Sequence, residues 1–242
     1  MPDLALDADA VARTVALLCR RIEERFPASG LSGVCGELER IATQTRERAV
    51  WIAKPILSLR ALVALLLALI TGGLASALIS LNRPKAPLEA FQFIQVLESG
   101  INDVVLVGAG VFFLFTLETR IKRKRALEAI KELRALAHLI DIHQLTKDPE
   151  WVFAPGKESS LLPLRRLSRF QLSRYLDYCS EMLSLTGKLA ALYIQDFDDD
   201  VALAAVNEVE NLTTGLSRKI WQKLMILYAM GPEPESSTPP SP

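Results

Sequence analysis

Apolar positions recur at helical spacing along most of the chain, and in two places they run together without interruption. Val11, Val15, Leu18, Ile22 and Phe26 fall three or four residues apart, which puts them on one face of a helix. Asp7 or Asp9 can cap that helix, and Pro27 with Gly30 ends it. Val34, Leu38, Ile41, Thr45 and Ile52 form a weaker stripe that predicts a second helix, with Ser32 as its cap. Pro55 then either opens a new helix at its first turn or kinks a continuous one. Further on, Leu172, Tyr175, Cys179, Met182, Leu189 and Tyr193 follow a near-heptad spacing. After a polar break at Asp196–Asp200, the positions Ala205, Val209, Leu212, Leu216, Ile220, Leu224 and Leu227 line another helix. The short join predicts an antiparallel helical hairpin. No internal repeat and no useful strand-like alternation is present.

The two uninterrupted runs change the picture. Residues 61–81 (ALVALLLALITGGLASALISL) contain no charge over 21 positions. A hydrocarbon core of about 30 Å takes about 20 helical residues at about 1.5 Å each, so the run fits one membrane crossing. Its competitors are a buried core helix and, less well, a signal peptide, which the acidic start MPDLALDADAV argues against. The second run, Val104 to Leu117, has only 14 uncharged residues. Extending it upstream to a spanning length draws in Glu98, Asn102 and Asp103. It reads as a helix from about Pro87 that crosses to Leu117 with its polar residues at headgroup depth. The rival is a single-span chain whose second run lies in the interface or re-enters.

Charge orients the pair. Arg46, Arg48, Lys54 and Arg60 precede the first run, and Arg120, Lys122, Arg123, Lys124, Arg125, Lys131 and Arg134 follow the second. The stretch between them carries only Arg83 and Lys85, so the balance is eleven against two. By the positive-inside rule both termini face the cytoplasm. Arg120, Lys122, Arg123, Lys124 and Arg125 are the expected lipid-headgroup contacts. No Gly or Pro falls between Glu118 and Leu145, so the second span is expected to continue inward as one rod. The fold class is therefore an all-α membrane protein: a two-span transmembrane helical hairpin with a cytoplasmic helical bundle. The expected organisation is an N-terminal cytoplasmic helical pair (1–54), the first transmembrane helix (55–82), and a short external loop with the second (83–117). A cytoplasmic extension (118–145), a loop (146–163), a helical hairpin (164–230) and a disordered Pro/Ser-rich acidic tail (231–242) complete it. Trp151 and Phe153 in the long loop either pack on the bundle or touch a partner.

Composition agrees with this reading. The chain has 242 residues, 50% hydrophobic and 23% charged, with zero formal net charge. That excludes a disordered chain, a disulfide scaffold and a strongly basic protein, so no nucleic acid is expected as partner. The cysteines Cys19, Cys35 and Cys179 form no CxxC pair, and reduced thiols are expected on the cytoplasmic side.

Candidate chemistry is sparse. His138, Asp141 and His143 share one window, but His143 lies five residues beyond His138, which is wrong for a zinc-binding helix face. A local His138–Asp141 hydrogen bond is the expected arrangement. Asp196, Asp198, Asp199 and Asp200 resemble the start of a calcium loop. Val201 and Asn207 stand where such a loop needs Gly and Glu, so the acids read as helix-capping groups. Gly108 and Gly110 have no preceding strand and sit inside an apolar run, where helix packing explains them. The Asn211–Thr213 sequon lies in an expected cytoplasmic helix. No metal or cofactor site and no catalytic residue is expected.

Two features of the spans remain. Gly72, Ser76 and Ser80 form a ladder of small residues with Gly73 and Ala77 beside it, and with Gly108 they are the expected packing positions of the spans. Asn102 and Asp103 either sit at the interface or form the mouth of an oligomeric pore. The function expected is a non-enzymatic, membrane-anchored helical scaffold or regulator in a bacterial inner membrane. Its partners would be the lipid bilayer, an unidentified cytoplasmic protein and further copies of itself. The alternative is an oligomeric two-span channel or pore-forming effector gated by the cytoplasmic helices. In outline the layout is similar to two-span effectors of bacterial defence systems.

Overall fold

A computed structural model describes residues 5–81, 90–149 and 167–230. Six helices account for nearly all of these: α1 (Ala8–Arg25), α2 (Gly30–Ala53), α3 (Leu57–Leu81), α4 (Ala90–Leu145), α5 (Arg169–Leu192) and α6 (Asp200–Ala229). No strand occurs among the described residues. The expectations for Trp151, Phe153, the acidic tail, the stretch around Pro87 and the side chains of Ala77 and Ser80 lie outside them. The chain divides into two compact units, Met1–Ile52 with Ala126–Pro242, and Ala53–Arg125.

The first unit owns the core. The stripe Val11, Val15, Leu18 and Ile22 is the buried face of α1, and Val34, Leu38, Ile41, Thr45 and Ile52 are buried on α2. Leu133, Leu136, Ala137 and Ile140 are the buried face of the last part of α4. α5 is buried over most of its circumference, with Leu172, Leu176, Cys179, Met182, Leu183, Leu189 and Ala190 inside, and the stripe Arg174, Asp177, Glu181, Ser184 and Lys188 is left toward solvent. Gly187 is its close-approach point, since a Cβ there would stand 3.5 Å from Thr213 Oγ1 on α6. One buried polar link ties α2 to α5. Thr45 Oγ1 donates to Ile41 O at 2.8 Å and lies 3.3 Å from the Tyr193 hydroxyl, so neither buried oxygen is orphaned.

Local chemistry sets the helix ends. The Asp7 carboxylate accepts from Asp9 N, and Ser168 with Gln171 forms a reciprocal capping box on α5. Asp199 accepts from Ala202 N, which gives the Asp196–Asp200 run its capping role. The cap of α2 departs from expectation: α2 begins at Gly30, and Ser29 Oγ, not Ser32, accepts from the Ser32 amide at 3.1 Å. The Pro27–Ser29 turn closes early enough for the helix to start three residues sooner. That turn puts Ala28 at φ 52°, a left-handed conformation that costs a Cβ-bearing residue about 1 kcal/mol.

Gly30 is fixed by its neighbour. A Cβ on Gly30 would sit 2.3 Å from His143 Cε1 on α4. Gly30→Ala is expected to destabilise the unit by about 1–3 kcal/mol through this overlap. Adding His143→Ala should recover most of the loss, a non-additivity that chemical denaturation of the single and double variants measures.

The second unit has the opposite character. α3 and the part of α4 before Arg125 present their large apolar side chains outward: Leu69 is 64% exposed and Phe112 75%. Both are long and apolar enough to cross a membrane, and none of the most apolar window of either is buried.

Candidate functional site

The two apolar runs meet at an ion cluster. Arg60 ends the charged approach to the first run, and Glu118 follows the second. Glu118 is buried, with its side chain 11% exposed, and its carboxylate takes Arg60 Nη2 at 3.4 Å and Lys122 Nζ at 3.1 Å. Lys122 reaches back one helical turn, the i,i+4 geometry that suits such a pair. The cluster joins the charged end of α3 to α4 at the point where both turn apolar. Lys122, expected as a headgroup contact, is thus engaged by Glu118, while Arg120, Arg123, Lys124 and Arg125 continue the basic stretch on partly or fully exposed positions.

Beyond that cluster the spans offer open surfaces. A Cβ added at Gly72, Gly73, Gly108 or Gly110 would meet nothing within 4 Å, so no described residue of this chain fills these small-residue positions. Ser76 lies on the same exposed stretch, and Thr71 Oγ1 donates back to Leu67 O at 2.9 Å. Glu98, Asn102 and Asp103 are exposed on α4. Asp103 precedes Glu118 by 15 positions, about 22 Å along the helix.

The titratable groups of the helical unit gather where α4 ends. The Gln144 side chain is fully buried, and its Nε2 donates to Asp141 at 2.5 Å while its Oε1 has no partner. Lys223 Nζ on α6 donates to Gln144 O at 2.8 Å, a cation set on the carbonyl end of a helix. Burial lowers Lys223 from the ordinary lysine range, partly offset by Asp148 and Asp141. Lys147 is lowered for the same reason, and burial beside Lys147 lowers His143. Burial pushes the Cys179 thiol up, which leaves it protonated and unreactive at neutral pH. These groups close a helix end and bury one another. Among the described residues no group of three or more His, Cys, Asp or Glu could hold a metal ion.

Two sequence expectations are corrected here. Asp141 pairs with Gln144 one turn on, and His138 is left exposed, because the helix turns its side chain away from the packed face. Cys19 and Cys35, expected as free thiols, form a disulfide across the α1–α2 pair, with Cα atoms 5.5 Å apart. Sixteen residues separate them, and the helix–turn–helix path brings both to the facing surfaces of two antiparallel helices. The spacing alone carries no such signal, but a helical-hairpin register drawn through Pro27–Gly30 would have found it.

Sequence reasoning also passed over an aromatic–arginine cluster on α1 and α5. Arg25 and Arg174 lie 5.3 Å and 5.6 Å from the Phe170 ring centroid, and Arg21 lies 5.2 Å from that of Tyr178. The i,i+4 spacing of an arginine between two aromatics (Phe170, Arg174, Tyr178) was the available clue. No family model, no curated protein and no solved structure matches this chain.

Proposed function

We propose that the chain is a non-enzymatic, membrane-anchored helical scaffold. α3 and the apolar part of α4 would hold it in the bilayer as a hairpin, and the helical unit would engage other proteins. The observation that carries this reading is the contrast between the two units. One buries its apolar faces in a core, whereas α3 and α4 leave 18-residue apolar windows wholly unburied. Water makes such a surface costly at about 25 cal/mol per Å², and lipid removes that cost. The Arg60–Glu118–Lys122 cluster then sits at the headgroup boundary, flanked by Arg120, Arg123, Lys124 and Arg125 for anionic lipid. The excess of Lys and Arg on that side supports termini in the cytoplasm, in keeping with a bacterial inner membrane. The Cys19–Cys35 bond pulls the other way, since cytoplasmic thiols are normally reduced. On α6, Trp221, Met225 and Tyr228 are exposed one and two turns apart, a face suited to a protein partner.

Intact cells and inverted vesicles treated with protease decide the orientation. The bundle should be cut only in inverted vesicles, and native copurification should recover protein partners that are lost with Trp221→Ala and Tyr228→Ala. A chain released by carbonate, or a bundle digested from outside, refutes the reading.

A second reading, an oligomeric two-span channel, is favoured by Asp103. A carboxylate about 22 Å from the Glu118 level would lie within a hydrocarbon core of about 30 Å, where it needs water or a partner. The open positions Gly72, Gly73 and Gly108 would let copies approach closely. It requires a multimeric mass for the intact complex and cation current in planar bilayers that Asp103→Asn reduces.

A further inference from the structure

We propose that the arginine cluster on α1 and α5 is a binding site for a phosphate monoester. Arg21, Arg25 and Arg174 converge with Tyr178 and Glu24 on a recess of about 380 Å³. Three guanidiniums brought together from two helices repel one another, and an anion between them relieves that repulsion. The ring contacts hold them in place: Phe170 carries Arg25 and Arg174, and Tyr178 carries Arg21. Of the two rings, Tyr178 is anchored: it is buried and meets the buried Phe26 edge-on at 6.3 Å, whereas Phe170 lies exposed on the surface. Rotamer freedom already spent on stacking is not lost again when a ligand arrives.

The counter-charges leave room for a ligand. Arg21 is met by Glu181 through two bonds of 3.0 and 3.3 Å, and Arg174 reaches Asp177 only at 3.5 Å. Arg25, at the end of α1, faces the Phe170 ring, and among the described residues no carboxylate closes a short ion pair on it. The forks of Arg25 and Arg174 are thus available for the bidentate geometry that phosphate oxygens accept. Glu24, the one carboxylate in the lining, supplies an acceptor for a hydroxyl or ammonium carried beside the phosphate. The recess lies at the Phe26–Gly30 end of the α1–α2 pair.

The test is calorimetry on the full chain in detergent, with inorganic phosphate, phosphoserine and vesicles containing phosphatidate, each against chloride at equal ionic strength. Phosphoserine is expected to bind, with affinity reduced at least tenfold in Arg25→Gln and in Arg174→Gln. Arg13→Gln, an exposed arginine elsewhere on α1, should leave binding unchanged. Arg174→Lys keeps the charge but not the fork and should restore less than half of the lost affinity. Melting without phosphate shows whether each variant is folded, and these side chains are exposed enough that it should be. Absence of phosphate binding to the unaltered chain overturns the proposal. So does equal binding by the arginine variants, full rescue by Arg174→Lys, or binding to the vesicles alone.

Discussion

Replacing Cys19 or Cys35 with serine is expected to cost the oxidised protein about 3 kcal/mol of unfolding free energy, the chain-entropy value for a loop of this length. The bond closes a segment of 16 residues that contains the whole Pro27–Gly30 turn, so it restricts the unfolded chain between α1 and α2. The native contacts around it survive its loss. Cys35 is fully buried beside Leu31, Leu38 and Leu18, and a serine there adds a hydroxyl in need of a partner, so Cys35→Ser should cost more than Cys19→Ser. Guanidinium unfolding with and without dithiothreitol separates the two contributions. Reductant should lower the stability of the unaltered protein to near that of Cys19→Ser and leave that variant where it is. If reductant moves neither, no bond forms in solution. The same cysteines report on compartment. Cells quenched with a permeant maleimide under denaturing conditions should yield one alkylated thiol, Cys179, where the pair is oxidised, and three where it is reduced. Three would agree with the cytoplasmic side that the Lys and Arg distribution indicates, and one would oppose it.

How far the fold could be read from the chain depended on which physical signal each element carries. The stripe on α1 was complete because burial on one face of a helix leaves a period in the sequence, whereas on α6 the C-terminal part was read correctly but Ala202, Val206 and Thr213 are buried where Ala205 and Leu212 were expected. The apolar runs were legible because their length and lack of charge need no partner to interpret. α5 was harder. Its spacing suggested one narrow face, whereas Tyr178, Leu183, Leu185 and Thr186 are buried as well, and an apolar arc that wide leaves only the thin line Arg174, Asp177, Glu181, Ser184 and Lys188 to mark the period. The start of α2 was misplaced because Ser29 and Ser32 are equally good caps, and only the turn geometry chooses between them. Pairings between helices left no local trace. Cys19 finds Cys35, Glu118 finds Arg60 and Arg25 finds Phe170 through the way helices pack, and only the Arg174–Phe170 contact, one turn apart on α5, could be read locally. The candidate sites divide the same way: the basic stretch from Arg120 to Arg125 is a feature of sequence, and the arginine recess is a feature of packing.

Placing two arginines in α3, as Leu65→Arg with Leu69→Arg, is expected to release the chain from the membrane. The two leucines are one turn apart on an exposed face, at 55% and 64% exposure, so their replacement removes almost no packing within the chain. If α3 were an ordinary surface helix in water, each substitution would change stability by about 0.5 kcal/mol or less. In a bilayer, each arginine near the helix centre costs about 2.5–3.5 kcal/mol, or about 5–7 for the pair. The eleven Leu, Ile and Val residues between positions 61 and 81, at about 0.3–0.6 kcal/mol each, supply roughly 3–7 kcal/mol for insertion. The pair therefore offsets most or all of the driving force that α3 supplies, leaving only the shorter apolar run of α4, and the carbonate-resistant fraction should fall sharply. The single variant Leu69→Arg should show a partial loss. Leu57→Arg, equally exposed but ahead of Arg60 and outside the uncharged run, should behave like the unaltered chain. Circular dichroism of the purified variants keeps the comparison clean, since none of these positions is buried and the helical signal should be retained. Equal membrane retention of the double variant and the unaltered protein would mean that lipid is not what covers α3. A second copy of the chain would then be the remaining cover for its apolar surface, and the mass of the complex would measure it.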